Sequence, residues 1–121
     1  MLSRNQSQDP PTLGATTVGI DISRLPLFQV YGVNDHGRAA IQANFSRGQL
    51  VDYFEKMPHC TVGIAVDEAY ASTARYWKKK LEELNHTVTL MATDFVRTHG
   101  QVPEEFDIDA KAICKAVQRT L

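Results

Sequence analysis

The chain is 121 residues long, with 13 Lys and Arg against 14 Asp and Glu and a formal charge of −1 at pH 7. That length holds one domain with a real core, and the near-neutral balance excludes nucleic-acid binding by bulk charge, so any such binding must come from a local patch. No apolar run reaches membrane-spanning length, the first residues lack the pattern of a secretory signal, and Cys60 and Cys114 make neither a CxxC pair nor a disulfide framework, which points to a reducing compartment.

In chain order, Met1 to Ala15 is polar and carries the Pro10-Pro11 pair, the composition of a disordered leader. A first strand is expected over about Thr16 to Ser23. A second, Leu27 to Val33, alternates apolar and polar residues. Asn34-Asp35-His36-Gly37 has the chemistry of a tight turn, and a third strand, Ala39 to Phe45, completes an antiparallel meander. Ser46 is placed to cap a helix in which Leu50, Val51 and Phe54 recur at helical spacing, ended by Pro58.

Thr61 to Val66 is short and almost wholly apolar, as a strand buried on both faces must be. The spacing of Tyr70, Ala74, Trp77, Leu81 and Leu84 predicts a helix over about Asp67 to Asn85. Asn85 is its stop signal. Thr87 to Met91 reads as another strand and Asp94 to Thr98 as a helical turn. Pro103 suits the first turn of a final helix that buries Ala110, Ile113, Cys114 and Val117. The order β-β-β-α-β-α-β-α is that of an α/β fold with a mixed five-stranded sheet, the ribonuclease-H-like arrangement.

Three carboxylates stand at the ends of these elements. Asp21 lies in the apolar run Val18-Gly19-Ile20-Asp21-Ile22, where an ionised group needs a metal, a donor or a positive partner. Glu68 follows the fourth strand, at the end of a parallel sheet where ligands bind. Its neighbour Asp67 is the competing helix cap, which would leave Glu68 in the first turn. Asp109 precedes the last helix, either as a third ligand or as a charge that complements the helix N-terminus. Magnesium takes a few carboxylates, several waters and substrate phosphate oxygens. Two such ions about 3.5 to 4 Å apart would serve phosphodiester chemistry. The four histidines (His36, His59, His86, His99) have no metal-ligand spacing.

The segments TTVGIDISRLPLFQVYGVNDHGR, EAYASTARYWKKKLEELNHTVTLMATDFV and DIDAKAICKAV resemble the N-terminal domain of DEDD transposases, the insertion-sequence enzymes related to the Piv and MooV DNA invertases. The resemblance runs from Thr16 to Leu121. It implies a RuvC-like fold, divalent metal (Mg2+ or Mn2+) held by four acidic residues, and DNA strand cleavage and transfer. Asp21, Glu68 and Asp109 match the first, second and fourth acidic positions. The third position holds Phe106, which cannot ligate a metal; Glu105 or Asp107 is left to fill it, and Glu105 is favoured because on a helix starting at Pro103 it shares a face with Asp109.

The resemblance further implies DNA as partner, in some members a guide RNA, and a homo-oligomer or a full-length transposase. It also implies a bacterial cytoplasmic, nucleoid-associated location and no membrane. Family members carry a C-terminal domain with a nucleophilic serine. Here residues 1–15 are expected to be the leader and 16–121 the RuvC-like domain, in a fragment or degenerate copy with little transposition activity of its own. Arg24 and Lys78 are the candidate phosphate contacts, although Glu82 and Glu83 offer Lys78 local pairs. The rival expectation is an inactive module of the same fold that binds nucleic acid or a partner. A nucleotide-binding domain of the actin type also opens on an Asp-bearing strand, but it requires glycines where Ile22-Ser23-Arg24 stand.

Overall fold

Strand pairing decides the architecture. The structure, a computed structural model, describes residues 14–121. The strands are β1 (Thr17–Asp21), β2 (Phe28–Val33), β3 (Ala39–Phe45), β4 (Thr61–Val66) and β5 (Thr87–Ala92). They form one sheet in the order β3-β2-β1-β4-β5. β1 pairs antiparallel with β2, and β2 with β3. β1 pairs parallel with β4, and β4 with β5. The expected antiparallel meander is therefore present, and the first and fourth strands lie side by side.

Burial explains the composition of each strand. β1 is central and buried at all five positions, which is why its alternation is masked by apolar residues. β3 lies at an edge and alternates between exposed and half-buried residues. One face of the sheet packs Val18, Ile20, Val30, Val62 and Ile64 against α1 (Arg47–Lys56) and α2 (Ala71–Glu83). The other packs against α3 (Thr93–His99) and α4 (Ala110–Thr120) through Val96, Ile113 and Val117. The result is an α/β/α sandwich of a mixed sheet.

Local signals set most boundaries. Ser46 and Gln49 form a reciprocal capping box at the start of α1. Gly37 (φ 77°) closes the β2–β3 turn and Asn85 (φ 74°) ends the turn after α2, both in the left-handed region. Trp77, on the buried stripe of α2, packs edge-on to Phe28 with ring centroids 5.1 Å apart.

Three expectations are corrected. The long helix does not start at Asp67: Asp67 accepts the Tyr70 amide and opens a single 3-10 turn, Glu68–Tyr70, before α2 begins. The final helix starts at Ala110, not at Pro103. Pro103 to Phe106 closes instead into a turn, with the Phe106 amide donating to the Pro103 carbonyl. Arg97 Nη1 holds that turn by donating to the carbonyls of Pro103 and Phe106 at 2.8 and 2.9 Å. Finally, the expected leader over residues 1–15 falls mostly on residues 1–13, outside the described residues, but Ala15 is buried against Gly32. No described helix is long and apolar enough to cross a membrane.

Candidate functional site

Asp21 is the last residue of β1 and one of few buried polar residues, at 5% exposure. Its face follows from the strand period. Gly19, two residues before it, lies directly under α4: a Cβ there would stand 2.3 Å from the Ala110 carbonyl oxygen and 2.4 Å from the Cys114 amide. Thr17, two residues earlier, receives the Cys114 thiol on its carbonyl. Asp21 therefore faces the α4 side, beyond the first turn of that helix.

The neighbouring strand fixes the helix end. Gln29 is the cross-strand partner of Asp21, and its Oε1 accepts the Ala110 amide at 2.8 Å. Asp109, half-buried, is the N-cap of α4, and its Oδ1 accepts the Ala112 amide at 2.9 Å. The N-terminal half-charge of α4 is thus brought to the edge that carries Asp21 and Asp109.

Asp21 is compensated locally. Its Oδ1 accepts from the Ser23 amide at 2.9 Å and from Ser23 Oγ at 2.6 Å. Its Oδ2 accepts from Arg24 Nε at 2.7 Å. The Arg24 guanidinium is held above its ordinary pKa, first by the hydrogen bond to Asp21, against the opposing effect of burial, and then by the charges of Asp21, Asp109 and Asp107. The carboxylates of Asp21, Asp109 and Asp107 all favour the charged guanidinium, Asp21 by direct contact.

The remaining candidates lie further out. Glu68 is exposed in the 3-10 turn at the C-terminal end of β4. That turn approaches the end of β1, where the Tyr70 hydroxyl stands 3.5 Å from the Ser23 carbonyl. Glu105 is exposed in the Pro103–Phe106 turn, so the helical face it was to share with Asp109 does not exist. Phe106 is 61% exposed. Asp107 is exposed in the irregular segment before α4, and its charge favours the charged form of Arg24. Lys78 is on α2, in the opposite helix layer, where it pairs with Glu82 one turn on. Among the described residues, no three His, Cys, Asp or Glu side chains are grouped to hold one metal ion.

The donor chemistry at this edge is nonetheless that of a hard cation. Every candidate ligand is a carboxylate oxygen, and magnesium is commonly held by one or two carboxylates, waters and substrate phosphates rather than by a closed protein cage. Beside Asp109 runs a cleft of about 150 Å3 between α4 and the uncovered face of β2 and β3, lined by Gln29, Tyr31, Gln42, Asn44 and Lys111. Lys111 Nζ lies 5.8 Å from the Tyr31 ring centroid. Sequence reasoning missed Ser23, Gln29 and this cleft. The one available signal was the Asp-x-Ser spacing of 21 to 23, which suits a side chain that accepts from a backbone amide two residues on.

No protein-family model matches the chain. A protein of Pseudomonas aeruginosa named "Probable family 20 transposase" is 36% identical over 107 residues, covering 88% of this chain and 30% of that relative. The transposase of an insertion sequence element of Yersinia enterocolitica is 32% identical over 104 residues, covering 86% of this chain and 30% of its own length. A third relative, from Sinorhizobium fredii, is 26% identical over 102 residues, covering 84% of this chain and 25% of its own length. All three relatives are named transposases. The chain spans under a third of the length of each.

Proposed function

We propose that this chain is the RuvC-like, ribonuclease-H-like acidic domain of an insertion-sequence transposase, of the DEDD type related to Piv and MooV, and that it works on DNA. Asp21, Asp109 and Glu68 are its metal-binding carboxylates. The place held by Phe106 falls to Glu105 or Asp107, both exposed in the segment that leads into α4. The single observation that carries the reading is that a buried carboxylate, Asp21, and the α4 cap, Asp109, are brought to one edge of the sheet by Gln29, the cross-strand partner of Asp21, whose Oε1 accepts the amide of Ala110 beside Asp109. The transposase names of three relatives support it independently.

In this reading each residue has a definite task. A bound Mg2+ or Mn2+ would supply Lewis-acid activation of the attacking oxygen and charge stabilisation of the leaving one. Asp21, fixed by Ser23, presents one rigid carboxylate at the strand end. Asp109 is held in place because it caps α4. Arg24 meets a backbone phosphate beside the reacting one, as the planar fork of a guanidinium is suited to do. Tyr31 and Lys111 in the adjoining cleft offer the flanking strand a ring and a charge. Lys78 is a weaker candidate, since a phosphate must compete with Glu82 for it.

The rival, a catalytically inert module that binds nucleic acid or a partner through the same fold, draws its support from Phe106. Manganese binding, followed by electron paramagnetic resonance in the presence of duplex DNA, separates the two. Binding that is lost in both Asp21→Asn and Asp109→Asn supports the metal-dependent reading. Retention of the same binding in Asp21→Asn would sink it and leave the inert module.

A further inference from the structure

Asp21 already has a cation, and that cation is the movable half of the pair. The Asp21 side chain is 7% exposed and locked by two bonds from Ser23, whereas the Arg24 side chain is 46% exposed. Rotation about its own side-chain bonds takes the guanidinium into solvent, while Asp21 cannot follow. With Arg24 withdrawn, Asp21 keeps only the two Ser23 donors on Oδ1, and Oδ2 is left without a partner. A cation arriving at Oδ2 would take the place that Arg24 leaves.

We propose that Arg24 is the exchangeable counter-ion of this acidic edge: it neutralises Asp21 in the free protein and yields Oδ2 to a divalent cation when a DNA phosphate gives the guanidinium another partner. The inference rests on the metal-dependent reading above and adds its control. Two features of the structure and one general property of the guanidinium carry it. Arg24 Nε occupies the oxygen that a cation would need, at 2.7 Å. Arg24 also stands in the field of Asp107 and Asp109, so a metal there would meet its repulsion. A guanidinium that leaves a carboxylate finds in a phosphate the other anion its fork fits.

The consequence is coupling. With Arg24 seated, metal binding is opposed by a resident positive charge. With DNA present, the same arginine is drawn off and the opposition falls. By linkage, the metal strengthens DNA binding by the same factor that DNA strengthens metal binding. An acidic edge controlled in this way stays poorly loaded until its substrate arrives.

The test is Mn2+ titration, followed by calorimetry and paramagnetic resonance, of the unsubstituted protein, Arg24→Gln and Arg24→Lys, each with and without a short DNA duplex. Circular dichroism melting confirms that each variant is folded. Without DNA, Arg24→Gln is expected to bind Mn2+ roughly tenfold more tightly than the unsubstituted protein, within the usual range of coupling between sites. Arg24→Lys keeps the charge and is expected to stay near the unsubstituted protein. Adding the duplex is expected to tighten Mn2+ binding in the unsubstituted protein and to change little in Arg24→Gln. Asp21→Asn or Asp109→Asn, placed on Arg24→Gln, should abolish the gain. Equal, Asp21-dependent affinity in the unsubstituted protein and in Arg24→Gln would overturn the counter-ion role and leave the metal site standing. Absence of Asp21-dependent Mn2+ binding in every variant, with and without DNA, would overturn both.

Discussion

Gln29 Oε1 accepts the amide proton of Ala110 at 2.8 Å, across 81 residues of chain. This bond ties the strand beside Asp21 to the first residue of the helix that Asp109 caps. The Ala110 amide is one of the donors that a helix N-terminus leaves unmatched, and Ala110 itself is fully buried, so its partner must come from the protein. Gln29→Met keeps the length and removes the acceptor, and is expected to cost about 1 kcal/mol. Gln29→Glu restores an acceptor and should recover most of that. Urea unfolding of the two variants checks the difference; an equal loss in both would mean that packing, not the bond, is what Gln29 supplies.

The close approach of α4 to β1 yields a sharper expectation. Gly19 has no room for a methyl group, and the atoms in the way belong to the helix backbone, which cannot swing aside. Gly19→Ala should cost about 3 kcal/mol, the upper part of the range for overpacking. Gly48, on α1, has nothing within 4 Å of a Cβ, so Gly48→Ala should instead stabilise by about 0.5 kcal/mol. Opposite shifts in thermal midpoint for these two substitutions are the check.

The contrast between strands and site shows what was legible in the sequence. Val18, Ile20, Val62 and Ile64 announce two central strands because burial on both faces leaves little freedom of composition. The Trp77 stripe and the Ser46 cap are equally local signals. The start of α4 was not legible, because Pro103 and Asp109 are both good start signals. Partners outside the segment decide between them: Arg97 takes the carbonyls of Pro103 and Phe106, and Gln29, 81 residues away, takes the Ala110 amide. The importance of Asp21 was legible from its apolar neighbours. Its partners were not, since Arg24 three residues on reads only as a candidate phosphate contact until the strand end turns it back to Asp21.

Asp109 has two roles that substitution can separate. As N-cap it accepts the Ala112 amide, and as an anion it adds to the field at Arg24. Asn caps as well as Asp, whereas Ala does not. Asp109→Ala should therefore lose about 1 kcal/mol of stability, and Asp109→Asn nearly none. Mn2+ binding in the presence of DNA should be weakened by both. Asp109→Asn with undiminished metal binding would confine this residue to its capping role.

His86 joins three segments beneath the opposite end of the sheet. Its Nδ1 accepts the Cys60 amide at 3.1 Å, which leaves the proton on Nε2 to be donated to the Phe54 carbonyl at 2.7 Å. The ring is 4% exposed, so water cannot replace it. His86→Leu leaves a buried donor and a buried acceptor unmatched, and should cost about 3 kcal/mol. His86→Gln, which carries both a donor and an acceptor, should cost less. Chemical denaturation of the pair gives the answer, and a milder loss for Leu than for Gln would mean that the site prefers apolar volume to hydrogen bonds.

Cys60 and Cys114 are buried thiols, and burial pushes them from 9.0 to about 12 and about 11. Burial likewise raises Tyr53 to about 12. In the unfolded chain these groups ionise first, so above pH 9 the folded state holds protons that the unfolded state has released. Stability from this source is complete below pH 9 and is lost as pH rises toward 11 and 12. Two outcomes follow. The native thiols should react with disulfide reagents far more slowly than the same thiols in denaturant, because the reactive species is the thiolate. The unfolding midpoint in urea should fall between pH 9 and 11, and fall less steeply in Cys60→Ala/Cys114→Ala, whatever the cavity costs at neutral pH. It is the slope against pH that decides: equal slopes in the variant and the unsubstituted protein would assign the alkaline loss to Tyr53 instead.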